Sequence, residues 1–239
     1  MSVFASHLIL TTYFTQKEDP QRIGIYHEPD QFEKIRRWYG SVMRLGLHAA
    51  IFHDGLSEAF VQQHGNEHVV FMPYTPQTGR SPNDERFYCY LDFLDAHPEI
   101  QYAFMTDLFD VDFLRDPFDL INDEKYDFYS QTGIGGLPNG KKKYAVTRMK
   151  QAYGRIFHPD RISLNAGIIG GRRDHLLRLL IRMVADFKKA PERHNVNIGV
   201  FNRCINDVCP DPERILHGFP LHSEFKKYEE DRGFYIRHK

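Results

Sequence analysis

A short apolar run that stops on a group of aspartates constrains this chain more than any other stretch. Tyr102–Thr106 combines aromatic, aliphatic and β-branched residues, the mark of a buried strand, and Asp107, Asp110 and Asp112 follow it directly. Carboxylates this close repel one another, and each loses solvation on burial. A cation among them removes both costs, and grouped hard oxygen ligands suit Mg²⁺ or Mn²⁺ better than zinc. In an open α/β sheet, ligands bind outside the carboxyl ends of the strands, where these aspartates fall. The plain alternative for so short a motif is a solvated acidic turn capped by Asp110 or Asp116.

The surrounding pattern predicts an α/β chain with a mostly parallel central sheet flanked by helices, in a single domain. Strands are expected at His7–Phe14, Leu47–His53, Glu67–Met72, Tyr102–Thr106, Tyr126–Ser130, Ser163–Gly171 and Arg214–His217. Helices are expected at Gln31–Leu45, Leu56–His64, Asp84–Ala96, Arg172–Ala190 and Asn195–Val208; Phe32, Ile35, Trp38, Tyr39, Val42 and Met43 give the first its apolar face. Alternation at this rhythm implies βαβ units. Residues 131–151, with four glycines and Lys141–Lys143, read as a basic loop, either solvated or able to meet phosphate.

Composition excludes several classes. Of 239 residues, 41% are hydrophobic and 26% charged, enough apolar material for a sizeable core. The 31 basic and 32 acidic side chains nearly cancel, which argues against nucleic acid as a partner. No segment approaches the ~18 continuous apolar residues of a membrane span, and the first residues read as a strand rather than a signal peptide. Cys89, Cys204 and Cys209 are odd in number and irregularly spaced, which gives neither a disulfide framework nor a zinc pattern and predicts a cytoplasmic protein.

Several local features, in order, agree on a family. The strand ending in Asp107-Leu108-Phe109-Asp110-Val111-Asp112 resembles the DxD region of GT-A-fold glycosyltransferases. Asn165-Ala166-Gly167-Ile168-Ile169-Gly170-Gly171 looks like the element those enzymes carry on a later strand. Asn197 to Asn202 resembles a helix start of theirs, with Asn197 where an acidic residue is common. Leu216-His217-Gly218-Phe219-Pro220, followed by Lys226, resembles the C-terminal histidine element that completes the metal site in several such families.

The resemblance implies a nucleotide-binding half at about 1–112, an acceptor half at about 113–239, and transfer of a sugar from a nucleotide-diphosphate sugar, with UDP as the expected nucleotide, to a glycan or other hydroxyl-bearing acceptor. A divalent cation, Mn²⁺ or Mg²⁺, would stabilise the leaving diphosphate. Asp107, Asp110 and His217 are the expected metal ligands, preferred over an Asp110/Asp112 pair because Asp107 directly follows the strand. Asp112 then either supports the metal ligands from behind or contacts the sugar. Thr11, Tyr13 and Arg22 are expected near the nucleoside, and Lys226 near the diphosphate. Arg86, in the first turn of a helix whose dipole opposes a cation there, is expected to face an anion. Asn165 and Asn197 are the candidates for sugar or acceptor contacts, and Asp207 or His194 for a base.

Three other readings compete. A phosphohydrolase with paired aspartates would want its nucleophile after the first strand, where this chain has Thr11-Thr12-Tyr13. A sugar nucleotidyltransferase would show its Gly-rich basic loop at that same place. A non-catalytic sugar-binding module of the same fold would be expected to have lost the aspartates.

Overall fold

The residues of β1 (His7–Tyr13) alternate between two cores: Leu8 and Leu10 enter one, Ile9 and Tyr13 the other, so both faces are covered. A strand apolar on both faces belongs inside a parallel sheet sandwiched by helices. The computed structural model describes residues 4–20, 22, 24–192, 195–224 and 230–238 and is built this way. Its central sheet contains β1, β2 (Ala49–His53), β3 (Val69–Pro73), β4 (Tyr102–Thr106), β6 (Phe128–Thr132), β7 (Leu164–Arg172) and β8 (Ile215–His217). The order is β3-β2-β1-β4-β7-β6-β8, and only β7 runs against the others. Helices α1 (Phe32–Leu45) and α2 (Glu58–His64) cover one face, and α3 (Pro82–Ala96), α5 (Arg173–Phe187) and α6 (Asn197–Val208) the other. With α4 (Lys143–Tyr153), these are the six α-helices among the described residues.

The sheet fixes where a ligand can lie. β1 pairs with β2 on one side and β4 on the other, and the connecting helices go to opposite faces. The strand order therefore reverses between β1 and β4, leaving a crevice at their carboxyl ends. Thr11 Oγ1 donates to Thr106 O at 2.8 Å and Trp38 Nε1 to Thr106 Oγ1 at 3.0 Å, so the end of β4 is anchored by β1 and by α1.

Two features depart from the sequence reading. The glycine- and lysine-rich segment expected to be a loop forms a short 3₁₀ turn, Ile134–Gly136, and then the eleven-residue α4. Only Ala145 and Met149 of α4 are buried, too few for a clear apolar stripe. α4 packs on α6 at Gly199, where a β-carbon would lie 2.6 Å from the Arg148 carbonyl carbon. The second is a ribbon of two three-residue strands, β5 (Val111–Phe113) and β9 (Ile236–His238), which pair antiparallel outside the central sheet. α1 holds the free edge of β5: Phe113 N–H donates to Ser41 Oγ at 3.0 Å, and Arg44 Nη2 donates to Phe113 O at 2.7 Å.

Candidate metal centre

The ribbon builds the site. Asp107 leaves the end of β4, with its N–H donating to Gly167 O of β7 at 2.9 Å. Asp110 lies three residues on, just before β5. The β5–β9 register sets Val111 opposite His238, which carries the imidazole back to the aspartates. His238 Nε2 lies 3.6 Å from Asp107 Oδ2 and 3.3 Å from Asp110 Oδ2. One ligand atom from each of the three lies within 4.8 Å of the others.

Neighbouring groups orient these ligands. His238 Nδ1 donates to Oε1 of the fully buried Gln131 at 2.6 Å, which leaves Nε2 facing the carboxylates. The buried Arg86 guanidinium pairs with Asp107 Oδ1 and donates to Ala166 O at 2.9 Å. Burial acts to raise the Asp107 pKa, but the adjacent Arg86 guanidinium, helped by His238, outweighs it and holds the carboxyl below the usual range. Gly167 makes the packing possible: a β-carbon there would lie 2.5 Å from both Asp107 Oδ2 and His238 Cε1.

Two oxygen donors and one imidazole nitrogen suit a hard or borderline divalent cation, Mn²⁺ more than Mg²⁺ because of the nitrogen. The site fits such an ion: Asp107 Oδ1 is taken by Arg86, while Asp107 Oδ2, the Asp110 carboxylate and His238 Nε2 converge.

The other expected site residues are placed elsewhere or used differently. His217, expected as the third ligand, is not in the cluster. Its Nδ1 lies 3.1 Å from Thr132 Oγ1 at the end of β8, and burial lowers its pKa. Asp112 is engaged by Arg237 across the ribbon, at 3.0 and 2.6 Å. Arg86 does face an anion, the Asp107 carboxylate. Tyr13 donates to Glu28 O at 2.8 Å and sets its ring edge-on to Phe109, between the two aspartates. Arg22 pairs with Asp19 at 2.8 Å on the surface.

Asn165 Oδ1 accepts the Gly167 N–H at 3.0 Å, shaping the backbone beneath the cluster. Asn197 Oδ1 accepts the Ile198 N–H at 2.8 Å at the start of α6. Asp207, near the other end of α6, binds His158 at 2.8 Å and Arg182 at 3.1 Å and is not in the cluster. Lys226 and His194 lie outside the described residues. His238 and Gln131 are the residues the sequence reading missed. Their only local signal is the Tyr235-Ile236-Arg237-His238 alternation, too short to mark a strand.

The sequence matches no protein-family model and no curated protein.

Proposed function

We propose that the protein is a divalent-metal-dependent glycosyltransferase that moves a sugar from a nucleotide-diphosphate sugar to a hydroxyl-bearing acceptor. The observation that carries this reading is the convergence of Asp107, Asp110 and His238 at the carboxyl end of β4, beside the point where the strand order reverses. A bound divalent cation supplies electrophilic stabilisation of the departing diphosphate.

The chain's own residues prepare that role. Asp110 and Asp107 offer oxygens, and Gln131 fixes the His238 tautomer that offers Nε2. Arg86 neutralises one carboxylate, leaving the two aspartates and the arginine with a net charge of about −1, so a divalent cation makes the centre positive and suited to a diphosphate. Thr11 and Trp38 hold the strand end still, so the ligands are set before substrate arrives.

The same geometry speaks against a phosphohydrolase. Such an enzyme would carry its nucleophile after the first strand, and β1 ends in Tyr13 rather than a carboxylate.

Calorimetric titration of UDP with and without Mn²⁺, repeated with GDP and TDP, tests the proposal. Binding of one nucleotide that requires the metal, and its loss in Asp110→Ala, is the expected result. A folded protein that binds none of the three with Mn²⁺ present would sink the reading.

A further inference from the structure

Between Phe128 and Pro159 the chain has no aspartate or glutamate, yet it carries Lys141, Lys142, Lys143, Arg148, Lys150 and Arg155. In a chain whose net charge is −1, this segment alone holds six positive side chains. It also carries three of the large hydrophobic residues left exposed, Ile134, Leu137 and Tyr144. A fourth, Phe219, is 66% exposed and lines a hollow of about 430 Å³ with Gly135 and Gly136, the residues after Ile134.

The pieces are joined locally. Lys142 Nζ donates to Ile134 O, and the Lys141 and Lys142 N–H groups donate to Pro138 O at 3.0 Å, folding the lysines back on the Ile134–Leu137 loop. The Arg148 guanidinium lies 4.7 Å from the centre of the Tyr144 ring. Glu224 is the one carboxylate among the hollow's described lining residues.

We infer that this face docks on a bilayer containing anionic phospholipids. Lysines beside exposed aliphatic and aromatic side chains match the two layers of a membrane surface, the lysines meeting phosphate head groups and the apolar side chains entering the acyl boundary. A soluble polyanion would satisfy the lysines but leave Ile134, Leu137 and Phe219 in water. No described helix is long and apolar enough to cross a membrane, so the contact is peripheral. Thr132, which lines the hollow, follows Gln131, the partner of His238, on the same strand. The inference rests on these surface features and does not depend on the proposed activity.

Flotation of the full chain with vesicles, in the absence of metal and nucleotide, tests it. Wild type is expected to float with vesicles of phosphatidylcholine and phosphatidylglycerol, and not with phosphatidylcholine alone. Neutralising all three lysines (K141Q/K142Q/K143Q) should lower the partition on the order of a hundredfold, about fivefold for each lysine. I134N/L137N, which keeps the lysines, should also release the protein. Asp110→Ala should float like wild type, which separates this result from the metal centre. Failure of wild type to float with anionic vesicles overturns the inference. So does an I134N/L137N protein, folded by circular dichroism, that floats as well as wild type, since charge alone would then explain the binding.

Discussion

His238 is held by Gln131: the imidazole Nδ1 donates to the buried amide oxygen at 2.6 Å, so Nε2 faces Asp107 and Asp110. An outer partner of this kind fixes both tautomer and ring angle. Gln131→Ala should therefore weaken Mn²⁺ binding by about 10–100-fold with all three ligands still present. His238→Ala should remove Mn²⁺-dependent nucleotide binding. Calorimetric titration of Mn²⁺ measures the first and titration of UDP with and without Mn²⁺ the second, and unchanged metal affinity in Gln131→Ala would mean the bond does not orient the ring.

His217 gives the opposite expectation. It bonds Thr132 and lies outside the cluster, so His217→Ala should leave the Mn²⁺ titration of wild type unaltered. A shifted metal dependence would return His217 to the centre.

Gly167 has no room for a side chain, since a β-carbon would sit 2.5 Å from both Asp107 Oδ2 and His238 Cε1. Gly167→Ala forces these ligands apart. Overpacking of this kind costs about 1–3 kcal/mol, so the variant should fold with lowered stability and lose Mn²⁺ binding. Chemical denaturation beside a metal titration reads both effects, and metal binding at wild-type affinity would contradict the crowding.

Asp84 makes stability depend on pH. Burial pushes its carboxyl up to about 7, although the Val196 N–H, 3.2 and 3.3 Å from the two carboxylate oxygens, and Arg80 favour the charged form. The unfolded chain releases this proton near 3.8 and the folded protein near 7, so between those values the folded state binds more protons. Stability from this group is complete below pH 4 and is lost as pH rises towards 7. Asp84→Asn cannot ionise, and its stability relative to wild type should climb across that window by at most about 4 kcal/mol. Urea denaturation at pH 5 and pH 8 checks this; an equal difference at the two values would show that Asp84 is ionised throughout.

Asn202 clamps β7 to α6, accepting from Leu164 N–H at 2.7 Å and donating to Leu164 O at 2.8 Å and Ile198 O at 2.9 Å. Asn202→Ala leaves buried backbone groups unpaired and should cost about 3 kcal/mol, or roughly 6–12 °C in melting temperature. A melting temperature within a degree of wild type would show that the clamp is dispensable.

Local chemistry determined much of this protein. The Tyr102–Thr106 strand falls where its apolar run puts it, and the aspartates follow it because a strand's end is where polar residues can leave the core. Asn165 and Gly167 read as a place of close backbone approach, and Gly167 is one. The periodicity that defines α1 and α5 is strong because each buries one face on a sheet. Tertiary structure alone decided which histidine joins the aspartates. Asp112 and Arg237 are 125 residues apart, and the three-residue strands that bring them together have too few positions for a pattern. The resemblance of Leu216-His217-Gly218-Phe219-Pro220 to a C-terminal histidine element favours His217, but a side chain reaches the candidate metal centre only where long-range pairing delivers it. Here that pairing, between β5 and β9, delivers His238.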